Sequence, residues 1–171
     1  MAAALSKDWQ EYPRLAASAT RAEQFSIWAM RLWWRGFPEL DAIWPDFVHG
    51  FRVCGVLPAI ESCHRFCSIA LAASGRGCGI GCLHCPQIAP REERLLEALG
   101  AANGGNHDLV ENLLRNSVPA SAARLMAPHA VHFARALNDA GLLWPQRAVP
   151  HDSNSLSSAD AAAPMFSQRF H

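Results

Sequence analysis

At 171 residues and 18.7 kDa the chain has the length of one domain. Half of it is hydrophobic, 18% is charged, and 15 basic residues balance 15 acidic ones. That composition excludes wholesale disorder and the electrostatic footprint of a protein built to coat nucleic acid or anionic membrane. The longest strongly apolar stretch, residues 25–34, is interrupted by Arg31 and falls short of the roughly 20 residues that span a bilayer.

The first residues carry neither a positive segment nor an apolar core of secretory type, which predicts a cytoplasmic chain. Residues 1–19, rich in Ala with Pro13, read as a loosely held arm or short helix. Thr20 and Glu23 form a capping box, in which hydroxyl and carboxylate satisfy free amides at a helix start. The helix that follows is apolar on most of its surface, which predicts central burial, and stops at Gly36-Phe37-Pro38. A short helix over 39–44 is expected to end at Pro45, with a further turn from 46 towards 51. Pro58 suits the first turn of a helix running to about residue 73. The glycines of 75–86 exclude a regular helix there.

Pro90 precedes a helix over 91–102, and the turn at 103–106 leads to another marked by Leu109, Val110, Leu113 and Leu114. Pro119 opens the next one, Pro128 should break or kink it, and Gly141 makes its C-cap. From residue 146 the Ser-, Ala-, Asp- and Pro-rich composition predicts a disordered tail. The expectation is an all-α domain over 20–145, a single irregular bundle of about six helices with one Cys/Gly-rich metal-binding loop at 75–86.

Five of the six cysteines crowd into 23 residues: Cys63, Cys67, Cys78, Cys82 and Cys85. On a helix, Cys63 and Cys67 face the same way, and glycines let the loop thiolates converge. Cys82-Leu83-His84-Cys85 has the two-residue spacing of zinc knuckles and iron–sulfur loops. His64 and His84 add nitrogen donors. The set therefore predicts a metal site, with zinc held by the helix pair and the Cys82/Cys85 pair. The alternative is an iron–sulfur cluster on Cys78, Cys82 and Cys85 with one helix cysteine. Without metal, Cys63 and Cys67 pack as core residues, Cys54 likewise, and the loop becomes a reactive-thiol segment. The Cys78-x3-Cys82-x2-Cys85 spacing resembles that of radical-SAM enzymes over eight residues. His84 stands where their aromatic usually precedes the last cysteine, and too little helical sequence follows to form their barrel, so the chain is not placed among them.

Weaker combinations are Glu61 with His64 and Asp46 with His49, each one turn apart, which suggest a small di-iron carboxylate oxidase. His129 and His132, with His107, Asp108 and Glu111, offer scattered nitrogen and oxygen donors. The turn at 103–106 allows a helix-turn-helix regulator, although Asp108 and Glu111 would meet phosphates. Trp28, Trp33, Trp34 and Trp44 read as an aromatic core, or as an exposed patch for a partner helix or a flat cofactor. No phosphate loop or serine nucleophile elbow is present. The functional expectation is a small cytoplasmic accessory, adaptor or regulatory protein with a structural zinc, an unidentified protein partner, and no membrane or nucleic-acid partner.

Overall fold

The computed structural model of the chain describes residues 14–75 and 79–145. Among them six α-helices follow one another: α1 (Arg21–Gly36), α2 (Leu40–Val53), α3 (Ile60–Ser74), α4 (Pro90–Ala102), α5 (His107–Leu114) and α6 (Ala120–Asp139). No strand is present among the described residues, and no helix there is long and apolar enough to cross a membrane. The tail expected beyond 145 and the first 13 residues lie outside the described residues.

Local chemistry sets the ends of these helices. At the start of α1 the Glu23 amide donates to the Thr20 hydroxyl, and the Thr20 amide donates to the Glu23 carboxylate at 2.9 Å, so both halves of the capping box form. Arg14 adds two hydrogen bonds to the same carboxylate, at 2.9 and 3.2 Å. At the end of α6, Gly141 takes a φ of +79°. Its amide donates to Asn138 O, and the Leu142 amide donates to Leu137 O, the paired bonds of a Schellman ending.

Pro45, expected to end a helix, and Pro128, expected to break or kink one, do not break theirs. Pro45 lies inside α2, and Pro128 lies inside α6, which runs unbroken for 20 residues. Each proline removes one amide donor, freeing the carbonyl four residues earlier, on Asp41 and Arg124. Both prolines and both of those residues are exposed, so neither loss falls in the buried core, where an unpaired carbonyl is costly. Packing then holds α2 together across the proline. Phe47 and Phe51, one turn apart, are fully buried with ring centroids 4.7 Å apart, and Phe25 of α1 meets Phe51 edge-on at 4.9 Å. Gly50 admits this approach, because a Cβ there would stand 2.1 Å from the Trp28 ring.

The core lies between α6 and its neighbours: α6 packs on α3, α4 and α5, and α1 packs on α2, α3 and α4. Trp33 is its largest fully buried side chain, with Met30, Phe66, Leu95, Leu99, Met126 and Phe133 around the same interior. The tryptophans divide. Trp33 is core, Trp28 and Trp34 are half-buried, and Trp44 is 36% exposed.

Candidate functional site

The segment from Gly79 to Ala89, which leads into α4, has no regular structure, yet its backbone is tied at Gly81, Cys82 and from Cys85 to Ala89. The tie is an ion pair within the core. Arg31, 3% exposed in the middle of α1, meets Glu92, fully buried in the first turn of α4. Nε and Nη2 of Arg31 donate to the two carboxylate oxygens, each at 2.7 Å. The remaining donors reach the loop: Nη1 to Cys85 O at 2.6 Å and Nη2 to Gln87 O at 2.7 Å.

Glu92 holds the other ends. It accepts from the Gly81 amide at 3.0 Å and from the Ala89 amide at 2.8 Å. Gly81 is required where it stands, since a Cβ there would lie 2.9 Å from Arg31 Nη2. A buried ion pair contributes only when its remaining hydrogen-bonding capacity is used. Here the loop backbone uses it.

The N-terminal segment closes the outer side. Ala16 donates to Pro86 O and Ile88 donates to Arg14 O, both at 2.8 Å, forming an isolated antiparallel bridge between Leu15 and Gln87. Within the segment expected as a loosely held arm or short helix, Arg14 to Ala16 are thus paired to the loop, and Ala16–Ser18 form a short 3-10 turn. The carbonyls of 85, 86 and 87 all have protein donors, which makes this a rigid platform rather than a free loop.

On that platform Cys82 and Cys85 are joined as a disulfide, with their Cα atoms 5.1 Å apart. Cys82 is exposed and Cys85 half-buried. The Cys85 amide donates to Cys82 O at 3.1 Å, and the Cys82 amide donates to Cys85 Sγ at 3.2 Å. Beside them a groove of about 280 Å³ is walled by Gln24, Ile27 and Trp28 of α1 and by Leu83, His84 and Cys85 of the loop.

The helix pair meets a different environment. Cys63 and Cys67 are free thiols, each 1% exposed, on the buried stripe of α3 that also carries Phe66 and Ala70. A hydrogen bond with Cys63, then burial, then the neighbouring thiol's charge push the Cys67 thiol well above its ordinary value. This favours the neutral thiol over the thiolate. Cys54 is a free, half-buried thiol at the end of α2. Cys78 lies outside the described residues. Among the described residues no three His, Cys, Asp or Glu side chains come together as a metal-holding group. The helix pair and the loop pair are therefore not gathered into one site.

The weaker combinations separate too. His64 accepts a hydrogen bond at Nδ1 from the Trp33 indole at 3.0 Å, and burial, followed by the Arg65 charge, lowers its pKa. Glu61 is exposed and faces Arg65 at 3.8 Å instead of sharing an ion with His64. Asp46 and His49 are both exposed. Glu111 is taken by Arg115 at 2.5 Å and Arg124 at 3.8 Å, while His107, Asp108 and His132 are exposed and His129 is half-buried.

Sequence reasoning missed Arg31 and Glu92, the two residues that organise the site. The indication was present: an arginine within a helix apolar on most of its surface needs a buried acceptor, and Glu92 is a first-turn acid following Ala89-Pro90. The chain matches no protein-family model, no curated protein and no solved structure.

Proposed function

We propose that this is a small accessory or regulatory protein whose chemical centre is the Cys82/Cys85 pair, cycling between disulfide and dithiol. The observation that supports this reading is a surface-loop cysteine pair, Cys82 exposed and Cys85 half-buried, bonded to itself on a backbone fixed independently by Arg31 and Glu92. Because that anchoring does not use the sulfurs, the bond can open and reclose without unfolding the loop. In a reducing compartment such a bond is transient and serves sensing or exchange. The cycle transfers two electrons and two protons, with a thiol–disulfide couple as the exchanging partner.

A second reading keeps the metal site. In the dithiol form Cys82 and Cys85 have the spacing of two zinc or iron–sulfur ligands, with Cys78 available as a third in the sequence. The amide that donates to Cys85 Sγ favours this reading too, since it supports a thiolate whether free or metal-bound. Neither the di-iron oxidase nor the DNA-binding alternative gains a comparable observation.

One experiment separates the two. Zinc, iron, acid-labile sulfide and free thiols are measured on protein purified without oxygen, before and after treatment with dithiothreitol and then glutathione disulfide. The redox reading predicts no stoichiometric metal and a Cys82–Cys85 bond that opens and recloses quantitatively. One zinc, or iron with sulfide, bound through unreactive loop cysteines supports the metal reading and contradicts the first.

A further inference from the structure

The two sulfurs of the loop are not equivalent, and the difference assigns them separate roles. We infer that Cys82 is the sulfur attacked by an incoming thiolate, and that Cys85 is the sulfur that leaves and later returns; this rests on the redox reading. Two independent observations carry it.

The first is access. Thiol–disulfide exchange depends on which sulfur the nucleophile reaches. Cys82 is exposed and does not line the groove against α1, whereas Cys85 is half-buried and forms part of that groove with Ile27 and Trp28. A thiolate reaches Cys82 from solvent.

The second is leaving-group stabilisation. The faster leaving thiol is the one whose anion is better supported. The Cys82 amide already donates to Cys85 Sγ at 3.2 Å. The Cys85 amide donates to Cys82 O and Arg31 holds Cys85 O at 2.6 Å; neither bond uses a sulfur, so breaking the disulfide does not itself remove either. The turn therefore keeps the amide against the sulfur as it acquires charge.

The step balances as a displacement. A thiolate RS⁻ attacks Sγ of Cys82, an RS–Sγ bond forms, the Cys82–Cys85 bond breaks, and its electron pair leaves on Cys85 as a thiolate. A second RS⁻ then attacks the sulfur of R in the mixed disulfide, releasing RSSR and the Cys82 thiolate. Two thiols are oxidised and the protein disulfide is reduced to the dithiol. In the reverse direction Cys82 attacks RSSR, and Cys85 resolves the adduct. The incoming group is a thiolate from a small molecule or from a cysteine at the surface of another protein.

The full-length oxidised protein is mixed with glutathione, or separately with a short cysteine-containing peptide, quenched in acid, alkylated and mapped by mass spectrometry. The inference predicts probe on Cys82 and alkyl label on Cys85, exceeding the reverse pattern by about tenfold or more. Equal loading, or excess probe on Cys85, overturns it. The relative rates of the two probes distinguish a small-molecule thiol from a protein thiol. Fast resolution that leaves no adduct is handled with Cys85→Ser and Cys82→Ser and glutathione disulfide as the probe. At a pH high enough to ionise either thiol, so that access decides, Cys85→Ser then accumulates a stable adduct at Cys82 about tenfold faster than Cys82→Ser does at Cys85, and equal rates overturn the assignment. A wild-type bond that neither glutathione nor dithiothreitol opens in the native fold defeats the redox reading itself, which the mapping distinguishes from reversed roles.

Discussion

Cys63/Cys67 and Cys82/Cys85 are two cysteine pairs of nearly the same spacing, and the fold gives them opposite environments. The first lies on the buried face of α3, where a mutual hydrogen bond and burial hold Cys67 as a neutral thiol. The second lies on a surface loop, bonded to itself and reachable by solvent. Environment rather than spacing separates a packing pair from a reactive one. The loop has that character because a buried ion pair inside the domain fixes its backbone while leaving Cys82 exposed.

The comparison breaks most severely if that ion pair is cut. Arg31→Leu leaves Glu92 buried without its partner and frees the carbonyls of 85 and 87, with an expected loss of about 3–5 kcal/mol in chemical denaturation. Replacing both, with Arg31→Leu and Glu92→Leu together, costs less than the two single losses added, because no lone charge stays buried. Additive losses would show that the two residues act separately.

The core pair comes next. Cys67→Ser buries a hydroxyl in place of a thiol at a position 1% exposed. It should lower stability by about 1–3 kcal/mol in the same measurement. Opening the loop disulfide with dithiothreitol should cost less than cutting the ion pair. The bond closes only a short loop, for which chain entropy gives about 2 kcal/mol as a ceiling, and the ion pair already restrains that loop. A reduction that unfolds the protein would make the bond structural and remove the basis of the redox reading.

The smallest effect is that of pH. His64 is lowered from 6.5 by burial, then by Arg65, and His129 by burial, then by Arg65 and His132. Both favour their neutral forms in the fold. Their contribution is present above pH 6.5 and is lost as pH falls through their lowered folded values. Protonation at Nδ1 of His64 also removes the acceptor of the Trp33 indole. Glu23 adds a second, more acidic step. Burial alone would raise its pKa, but the hydrogen bonds from Arg14 and Thr20 outweigh that and hold it below 4.5, so its contribution disappears as pH falls beneath that value. Melting temperature should therefore decline in two acid steps, with the first reduced in His64→Gln. An unchanged first step in that variant would assign it to other groups.

Local features were legible in the sequence and distant ones were not. Thr20 and Glu23, three residues apart, announced their capping box, and Gly141 its C-cap, because each requirement is met within one turn. Pro45 and Pro128 misled for the complementary reason. Their local penalty is visible in the sequence, whereas the solvent exposure of Asp41 and Arg124, and the packing of Phe47 and Phe51, are tertiary facts. Arg31 and Glu92 stand 61 residues apart, so neither announced the other. The loop cysteines stood out in the sequence by their spacing. Their division from Cys63 and Cys67 was not legible, since both pairs fit one metal site by spacing alone.

The account turns on that division, and accessibility mapping of every thiol tests it most directly. The native full-length protein is alkylated before reduction, after mild reduction, and in denaturant, with each label located by peptide mass spectrometry. The account predicts that Cys82 and Cys85 are linked to each other at first and take label promptly once reduced, while Cys63 and Cys67 take it only on unfolding. Prompt labelling of Cys63 or Cys67 in the native fold, or loop cysteines that stay unlabelled after reduction, would contradict it.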